Sequence, residues 1–567
     1  SGLGSSSSFT VGLLNVLKKF LSDDIHKEEL AELACKIEIE LCGAPIGKQD
    51  QYAAAIGGLN LIEFHRDESV KTTPIILAED YFRHLNNMIV VFYTGISRKA
   101  NLILADQNKN IMIDYRENAP QLAKADLFDL DNQNNVVDEQ NHLGEKAAAI
   151  PGTFAGMALA LEKYGTMSMS QVANHAIDLG KNGFEITPFL DWVMSTDSDL
   201  ALTKFKRSEE AASIWLKSDG STFKSGEIKT NLAMAETIER VSKNGIQEFY
   251  EGFVAQSAEK HMIANGGPMR AKDFSLYKPV LRTPITGEFN EYSYITSAPP
   301  SSGGIALYQL LTLFQDMDLA KSGHNTVETI DKMSRVLKHV YVARDLIADP
   351  DYESIDSEKF TSDKFIKKMQ EQTLSNSESL GGDGSQTSHF SVVDKHGNSV
   401  SCTESLEAFF GCGIVVPDTG IFLNNTMGDF DPIPNRLNSI KPGKRSRSAM
   451  APTIFLKDNK PALIIGSAAG PRIITAVMQV ALNVLVHNMD VQSAISAPRF
   501  HYHGDDLIME GRISEDVSSG LANIGYSITK EDDVTFLFGG VHAITISDTG
   551  EVHGGADPRR DGVAVSE

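Results

Sequence analysis

The 567-residue sequence predicts an α+β fold, and three observations carry that prediction. Helix-period apolar spacing clusters in long stretches, at residues 151–190, 227–265, 303–318, 326–349 and 472–488. Strand-like alternation is concentrated elsewhere: Phe390, Val392 and Val393 are answered by Val400 and Cys402 across an Asp394-Lys-His-Gly-Asn398 turn. Further short β-rich runs stand at 453–456, 462–465 and 542–546. Helices segregated from an antiparallel sheet make a layered architecture.

Taken in order, the chain opens on a Gly/Ser run, Ser1 to Ser8, feeding a helical pattern with Val11, Leu14, Leu17 and Phe20 on one face. Such a loop offers backbone N–H groups and a positive helix end to a phosphate. A second amphipathic stretch follows through Leu30, Leu33, Ile37 and Leu41, then Gly43-Ala-Pro-Ile-Gly-Lys-Gln-Asp-Gln51 and Ala53-Ala-Ala-Ile-Gly-Gly58. Residues 88–93 read as a buried strand. Asn108-Lys-Asn110 is a short polar bridge rather than a flexible tether.

Composition excludes several function classes. With 52 Lys+Arg against 75 Asp+Glu, the net charge of −23 disfavours nucleic acid and anionic membranes as partners. No apolar run of about 20 residues spans a bilayer. The N-terminus lacks the basic start and small-residue cleavage site of a signal peptide, so the sequence as written predicts a cytoplasmic protein. Cys35, Cys42, Cys402 and Cys412 show no CxxC spacing and are expected to be buried or inert thiols. His501 and His503 belong to no metal motif, and no metal site is expected. At roughly 150 residues per domain, length alone predicts about four domains.

The two N-terminal segments together resemble the sugar-kinase branch of the GHMP kinases, heptose 7-phosphate kinases most of all. That resemblance implies an incomplete α/β kinase fragment over residues 1–110, in which Gly2, Gly4, Ser5, Ser6 and Ser7 cradle ATP phosphates with a serine near Mg²⁺. It puts Asp50 at the acidic position facing the sugar hydroxyl. The strands that precede the phosphate loop in that family, and the second half of its fold, have no counterpart.

From Ile111-Met-Ile-Asp-Tyr-Arg-Glu-Asn-Ala-Pro120 onward the chain resembles the γ-glutamyltransferases, which are N-terminal-nucleophile hydrolases. The motifs are Pro151-Gly-Thr-Phe-Ala-Gly156, Pro299-Pro-Ser-Ser-Gly-Gly304, Thr387-Ser-His-Phe-Ser-Val-Val-Asp394, Leu423-Asn-Asn425, Lys444-Arg445, Gly470-Pro-Arg-Ile-Ile474, Ala497-Pro-Arg-Phe500 and Asp557-Pro-Arg559, all in family order. The resemblance implies an αββα sandwich, a large-subunit-like region at 111–386 that starts late, and a small-subunit-like region at 387–567. It implies no cofactor for this part, ATP and Mg²⁺ being relevant only to a functional kinase fragment. The two parts are expected to stay associated after cleavage. Members are commonly periplasmic or extracellular.

A threonine hydroxyl is a weak nucleophile at neutral pH unless a base stands beside it. As the first residue of a chain, its own α-amine, with a reference pKa of about 8, can take the proton. Chemistry at Thr387 therefore requires cutting the Gln386–Thr387 bond, and the Ser/Gly/Asp-rich stretch 375–385 upstream would leave after cleavage. The resemblance places Arg116 at the substrate α-carboxylate, where a guanidinium fork donates two parallel hydrogen bonds. It places Asp429 at the α-ammonium, Ser448 near that head group, Ser405 beside the nucleophile, and Ala469 and Gly470 at the oxyanion.

Departures from the family pattern bear on substrate. Glu407 stands where γ-glutamyl-specific members usually have Asn, and Thr426 where Gln or Glu is common. Ala449 and Ala469 replace a serine and a glycine; Ala469 still offers its N–H provided its φ is not positive. The stretch from Asp429 to Ser448 is shorter than in members with a lid loop, which predicts an open pocket. The expected function is a self-cleaving amidohydrolase/acyltransferase passing a γ-glutamyl group, from glutathione or a related amide, through acyl-Thr387 to water or an amino acid. The alternatives are a sugar-phosphate kinase activity of the N-terminal segment, or an inactive fusion of two truncated domains.

Overall fold

In the computed structural model the described residues are 10–11, 13–15, 25–41, 48–56, 60–65, 69–74, 110–195, 201–372, 386–503 and 506–566. The chain divides into two compact units, Ser1–Lys109 and Asn110–Glu567. In the first, helix Lys27–Cys35 continues into a π-helical turn, Lys36–Leu41. Helix Gln49–Ile56 follows, then an antiparallel hairpin of Asn60–Phe64 with Val70–Pro74. Val11, Leu30, Ala31, Ala34, Tyr52 and Ala55 form its core. The buried Glu38 carboxylate accepts from Thr10 Oγ1 at 2.7 Å and from Gln51 Nε2 at 2.5 Å.

The larger unit is built on an antiparallel six-stranded sheet. Its strand order is Val552–Ala556, Gly540–Ile546, Lys460–Ala468, Thr453–Lys457, Tyr292–Thr296, Ile285–Phe289. One face packs on helices Gly303–Phe314, Val327–Arg344 and Arg472–Leu485, burying Leu463, Ile465, Phe455, Tyr294 and Val541 against Leu307, Leu311, Val336, Ile474 and Val477. The other face carries a separate hairpin, Gln386–Val393 with Ser399–Glu407, whose register pairs Val392 with Val400 and Phe390 with Cys402 as the alternation predicts.

That hairpin inverts the usual polarity of a sheet. Its polar residues point inward: Ser391 Oγ donates to the Ile464 carbonyl at 3.3 Å and Ser401 Oγ to the Ile465 carbonyl at 2.8 Å. The imidazole of His389 lies directly on Gly466, where a Cβ would come within 2.2 Å of the ring. Only glycine admits so close an approach. The apolar alternates face outward, with Phe390 at 41%, Val392 at 48% and Val400 at 49% exposure. Among the described residues the layers are thus helices, sheet and hairpin, and no helix covers the hairpin's outer face.

Two expected long helices are each broken into three. Residues 151–190 hold Thr153–Tyr164, Met169–Asn182 and Pro188–Ser195, with breaks at Gly165, at Gly183 (φ +91°) and before Pro188. A reciprocal Ser168/Gln171 capping box starts the middle one. Residues 227–265 hold Leu232–Asn244, Gln247–Tyr250 and Phe253–Ala264, divided at Gly245 (φ +92°) and Gly252. Apolar spacing runs through these glycines unchanged, whereas the backbone leaves the helix at them, at positive φ for Gly183 and Gly245. A second core, including Ala147, Ile150, Phe249, Val254 and Met262, joins this region to Cys412, Ile414 and Leu423.

Candidate active site

The hairpin fixes Thr387, the position expected for the nucleophile. Thr387 is buried opposite Ser405, and its hydroxyl donates to Ser405 Oγ at 3.2 Å. The same Oγ accepts from the Glu407 N–H at 2.8 Å. Between Ser405 and Glu407 the register slips, so that Glu407 stands opposite Gln386. Glu407 takes φ +78°, a strained choice for a non-glycine residue. Asn425 brackets this bulge: its N–H donates to the Leu406 carbonyl at 3.0 Å, and its Oδ1 accepts from Ala408 N–H at 2.9 Å. Arg560 Nη1 donates to the Thr387 carbonyl at 3.3 Å.

Beyond the bulge lies a charge pair. The Arg116 guanidinium bonds directly to the Asp429 carboxylate, reaches Ser446 Oγ at 3.0 Å, and lies 3.6 Å from Glu117. Burial works against the charge on Arg116, but Asp429 and Glu117 outweigh it and raise its pKa. Glu117 is pushed up by burial against the pull of Arg116. Glu407 is raised to about 8, by burial first and by Asp429 second, while Lys204, Asn425 and Arg116 oppose the rise.

Two expected partners make local hydrogen bonds. Thr426 is fully buried and its hydroxyl donates to Asn424 Oδ1 at 2.7 Å, so its donor does not enter the pocket. Ser448 Oγ accepts from Met450 N–H at 3.1 Å, and it is Ser446 that meets Arg116. Ser448 thereby closes a local turn on the backbone, as hydroxyl residues commonly do, whereas Thr426 pairs with a side chain two residues away.

Ala469 and Gly470 follow the sheet strand Lys460–Ala468 and precede helix Arg472–Leu485. Among the described residues neither N–H meets an acceptor. Two such groups at the positive end of a 14-residue helix form a cradle for negative charge. Ala469 has φ +105° and Gly470 φ +52°. Ala469 does not meet the condition placed on it, a φ that is not positive, yet its N–H is left without an acceptor among the described residues: the alanine holds a glycine's conformation under strain and still offers its donor.

Residues 95–566 match the Gamma-glutamyltranspeptidase family description. The glutathione hydrolase proenzyme of Escherichia coli (strain K12) is 34% identical over 481 residues, 81% of each chain. The chain belongs to the gamma-glutamyltranspeptidase family. It is accordingly an enzyme, of the transferase and hydrolase kind. The family match begins at residue 95, upstream of the boundary at 111 suggested by motifs, because residues 95–110 carry no motif of their own.

Another relative of this transpeptidase-family chain is the acylase ACY 1 proenzyme of Pseudomonas sp. (strain V22), 30% identical over 492 residues, 84% of this chain and 86% of that one. In fold, the cephalosporin acylase from Bacillus halodurans superposes with a TM-score of 0.68 at 22% identity, covering 80% of this chain and 84% of that chain. Residues 1–58 match the GHMP kinases N terminal domain. Of the kinase-like positions, Gly2, Gly4, Ser5, Ser6 and Ser7 lie outside the described residues, and Asp50 lies in helix Gln49–Ile56.

Beside these positions the structure also brings residues that the sequence did not point to. Ser446 and Glu117 flank noted motif residues, and Arg560 follows Asp557-Pro-Arg559 directly. Adjacency was their one signal. Lys204, buried in helix Ala201–Phe205 with Nζ 2.6 Å from the Phe409 carbonyl, had none. Burial raises the thiols of Cys402 and Cys412 to about 12 and that of Cys35 to about 11, so all three stay protonated at neutral pH. His501 accepts or donates at Thr475 Oγ1, 3.0 Å away, inside the core. Among the described residues no three of His, Cys, Asp and Glu converge as a metal set, and no helix is long and apolar enough to cross a membrane.

Proposed function

We propose that the chain is the precursor of a γ-glutamyl hydrolase and transferase in which Thr387 is both the maturation and the catalytic nucleophile. The observation that carries this reading is the hydrogen bond of the buried Thr387 hydroxyl to Ser405, across the hairpin from the bulge at Glu407, together with the Arg116–Asp429 pair. In maturation the Thr387 hydroxyl attacks the Gln386 carbonyl and the peptide nitrogen leaves as an amine. Water then hydrolyses the ester, which frees the Gln386 carboxylate and gives Thr387 an α-amine.

In turnover that amine takes the hydroxyl proton as Thr387 attacks the donor's γ-carbonyl. Ala469 and Gly470 N–H groups receive the oxyanion, an interaction whose loss would cost about 3 kcal/mol in barrier. The leaving amine departs with a proton. Water or an amino acid then accepts the acyl group from Thr387. Arg116 receives the donor α-carboxylate and Asp429 its α-ammonium, with Ser446 supporting the guanidinium. No cofactor enters any step.

Mass spectrometry of the incubated protein tests the reading. Two fragments separating between Gln386 and Thr387, together with release of p-nitroaniline from γ-glutamyl-p-nitroanilide, are expected. A persistent 61.8 kDa chain identical to Thr387→Ala would refute it.

A second reading concerns the first unit, because residues 1–58 match a kinase domain. We propose that this segment is a GHMP-kinase-like fragment, with ATP and Mg²⁺ as its ligand class if it retains function. ATP calorimetry on the full chain and on Gly4→Asp tests it; equal heats from both would remove ATP binding from the account.

A further inference from the structure

On the helical side of the sheet, away from the hairpin that carries Thr387, a cleft opens where the loop leading into helix Val327–Arg344 meets the loop leaving helix Arg472–Leu485. Its polar lining includes His324, Asn325, Asn483 and His487, and no carboxylate is among the lining residues. The two imidazoles stand with ring centres 5.5 Å apart and planes at 73°. Both histidines are half-buried, and among the described residues neither ring makes a hydrogen bond. Burial lowers the pKa of both, that of His324 to about 4 with His487 adding to the fall, so each ring is neutral at pH 7 and keeps one nitrogen lone pair free.

The two asparagines add oxygen donors. Asn325 Nδ2 donates to the Pro498 carbonyl at 2.8 Å, and Asn483 Nδ2 to the Ala494 carbonyl at 3.1 Å. Those bonds set which way each amide is turned and leave its Oδ1 without a hydrogen-bond donor among the described residues. The neighbouring polar groups are committed to the backbone. Gln479 spends its amide on the Thr475 and Phe500 carbonyls and the Phe500 N–H, and the Thr329 hydroxyl donates to the Gly323 carbonyl at 2.5 Å. Two neutral imidazoles and two amide oxygens are therefore the groups in this cleft with capacity to spare.

That donor set has a specific chemistry. Imidazole nitrogen suits late first-row divalent ions, whereas Mg²⁺ and Ca²⁺ take oxygen ligands and are drawn by carboxylates. With a metal–nitrogen distance of about 2.1 Å and a nitrogen about 1.2 Å from its ring centre, two imidazoles on one tetrahedral ion have centres about 5.3 Å apart. The spacing of His324 and His487 matches this.

We infer that His324 and His487 form a two-histidine site for a late first-row divalent metal ion of the Zn²⁺ class, with the Asn325 and Asn483 amide oxygens and water completing the coordination. The ion ties the entry of one core helix to the exit of another. Helix Arg472–Leu485, 14 residues and about 20 Å long, separates it from Ala469 and Gly470, so it takes no part in acyl transfer and the inference stands apart from the γ-glutamyl reading.

Two measurements on the chelator-treated full chain test this, with Zn²⁺ as the probe. Calorimetry at pH 7 is expected to show one saturable Zn²⁺ per chain and none for Mg²⁺. Affinity should fall tenfold or more in His324→Gln and in His487→Gln, and stay unchanged in His175→Gln, an exposed histidine on helix Met169–Asn182. Absence of a saturable site, or a site that keeps its affinity in either cleft variant, overturns the inference. The second measurement needs no variant. Zn²⁺ is expected to slow carbethoxylation of His324 and His487 by diethyl pyrocarbonate, read by peptide mass spectrometry, while His175 reacts at its usual rate and Mg²⁺ protects neither. Equal rates at the two cleft histidines with and without Zn²⁺ overturn the inference.

Discussion

The Arg116 guanidinium and the Asp429 carboxylate are bonded directly to each other. A donor with an α-carboxylate and an α-ammonium presents the complementary charges, so each protein group can exchange its partner for the matching end of the substrate. On the proposed reading, the pair holds these charges in place before the donor arrives.

Replacing one member should therefore be read in KM. Arg116→Lys keeps the charge but loses the planar fork, and a charged hydrogen bond of about 2 kcal/mol corresponds to a KM for γ-glutamyl-p-nitroanilide roughly thirtyfold higher. Steady-state kinetics checks this. A rise in KM no larger than that of a distant surface Arg→Lys variant would remove Arg116 from donor binding.

Ser405 should matter to maturation before it matters to turnover. Its Oγ accepts from both the Thr387 hydroxyl and the Glu407 N–H, so on the proposed reading it orients the attacking oxygen on the precursor strand. Ser405→Ala is expected to slow appearance of the two fragments roughly tenfold, and Ser405→Thr to preserve the rate. Timed gel densitometry decides between them.

Ala469 stores backbone strain that a single substitution can release. With φ at +105°, Ala469→Gly is expected to stabilise the chain by about 1 kcal/mol without loss of amidase activity. Ala469→Val should lower stability instead. Urea midpoints in the Thr387→Ala background, which keeps one covalent chain, measure both.

His389 makes the hairpin sensitive to acid. Burial lowers its pKa to about 3, and it is packed against Gly466 between the hydroxyls of Thr403 and Ser391. A histidine with a lowered folded pKa binds protons more readily unfolded. Its stabilising effect is thus complete above an unfolded pKa of about 6.5 and declines as pH falls, by roughly 1.4 kcal/mol per pH unit. The difference in urea midpoint between pH 7 and pH 4.5 should shrink in His389→Asn. An unchanged difference would place the acid sensitivity elsewhere, for instance at His324, also lowered by burial, to about 4.

Much of the fold was legible from local pattern. The alternation around Phe390 and Val400 gave the hairpin with its register, and the runs near 453, 462 and 542 are sheet strands. Helix number was not legible, because apolar spacing continues through Gly165, Gly183 and Gly245 while the backbone turns at them. Nor could alternation say which face of the hairpin is buried. Phe390 and Val392 suggest an apolar inner face, yet Thr387, His389 and Ser391 occupy it, since the polar side chains reach carbonyls of the sheet below.

The site divides along the same line. Motif order, through the family resemblance it carries, named the candidate groups: a threonine after a cuttable bond, an arginine and an aspartate for a zwitterion, and a glycine before a helix. The chemistry of each residue type is what makes those expected roles possible. Only the tertiary structure decided that Ser446 rather than Ser448 meets Arg116, that Thr426 turns its donor to Asn424, that Ala469 adopts a positive φ, and that Glu407 is swung by a bulge beside Asp429. Hydrogen-bond direction and backbone angle depend on neighbours hundreds of residues away along the chain, and no local pattern encodes them.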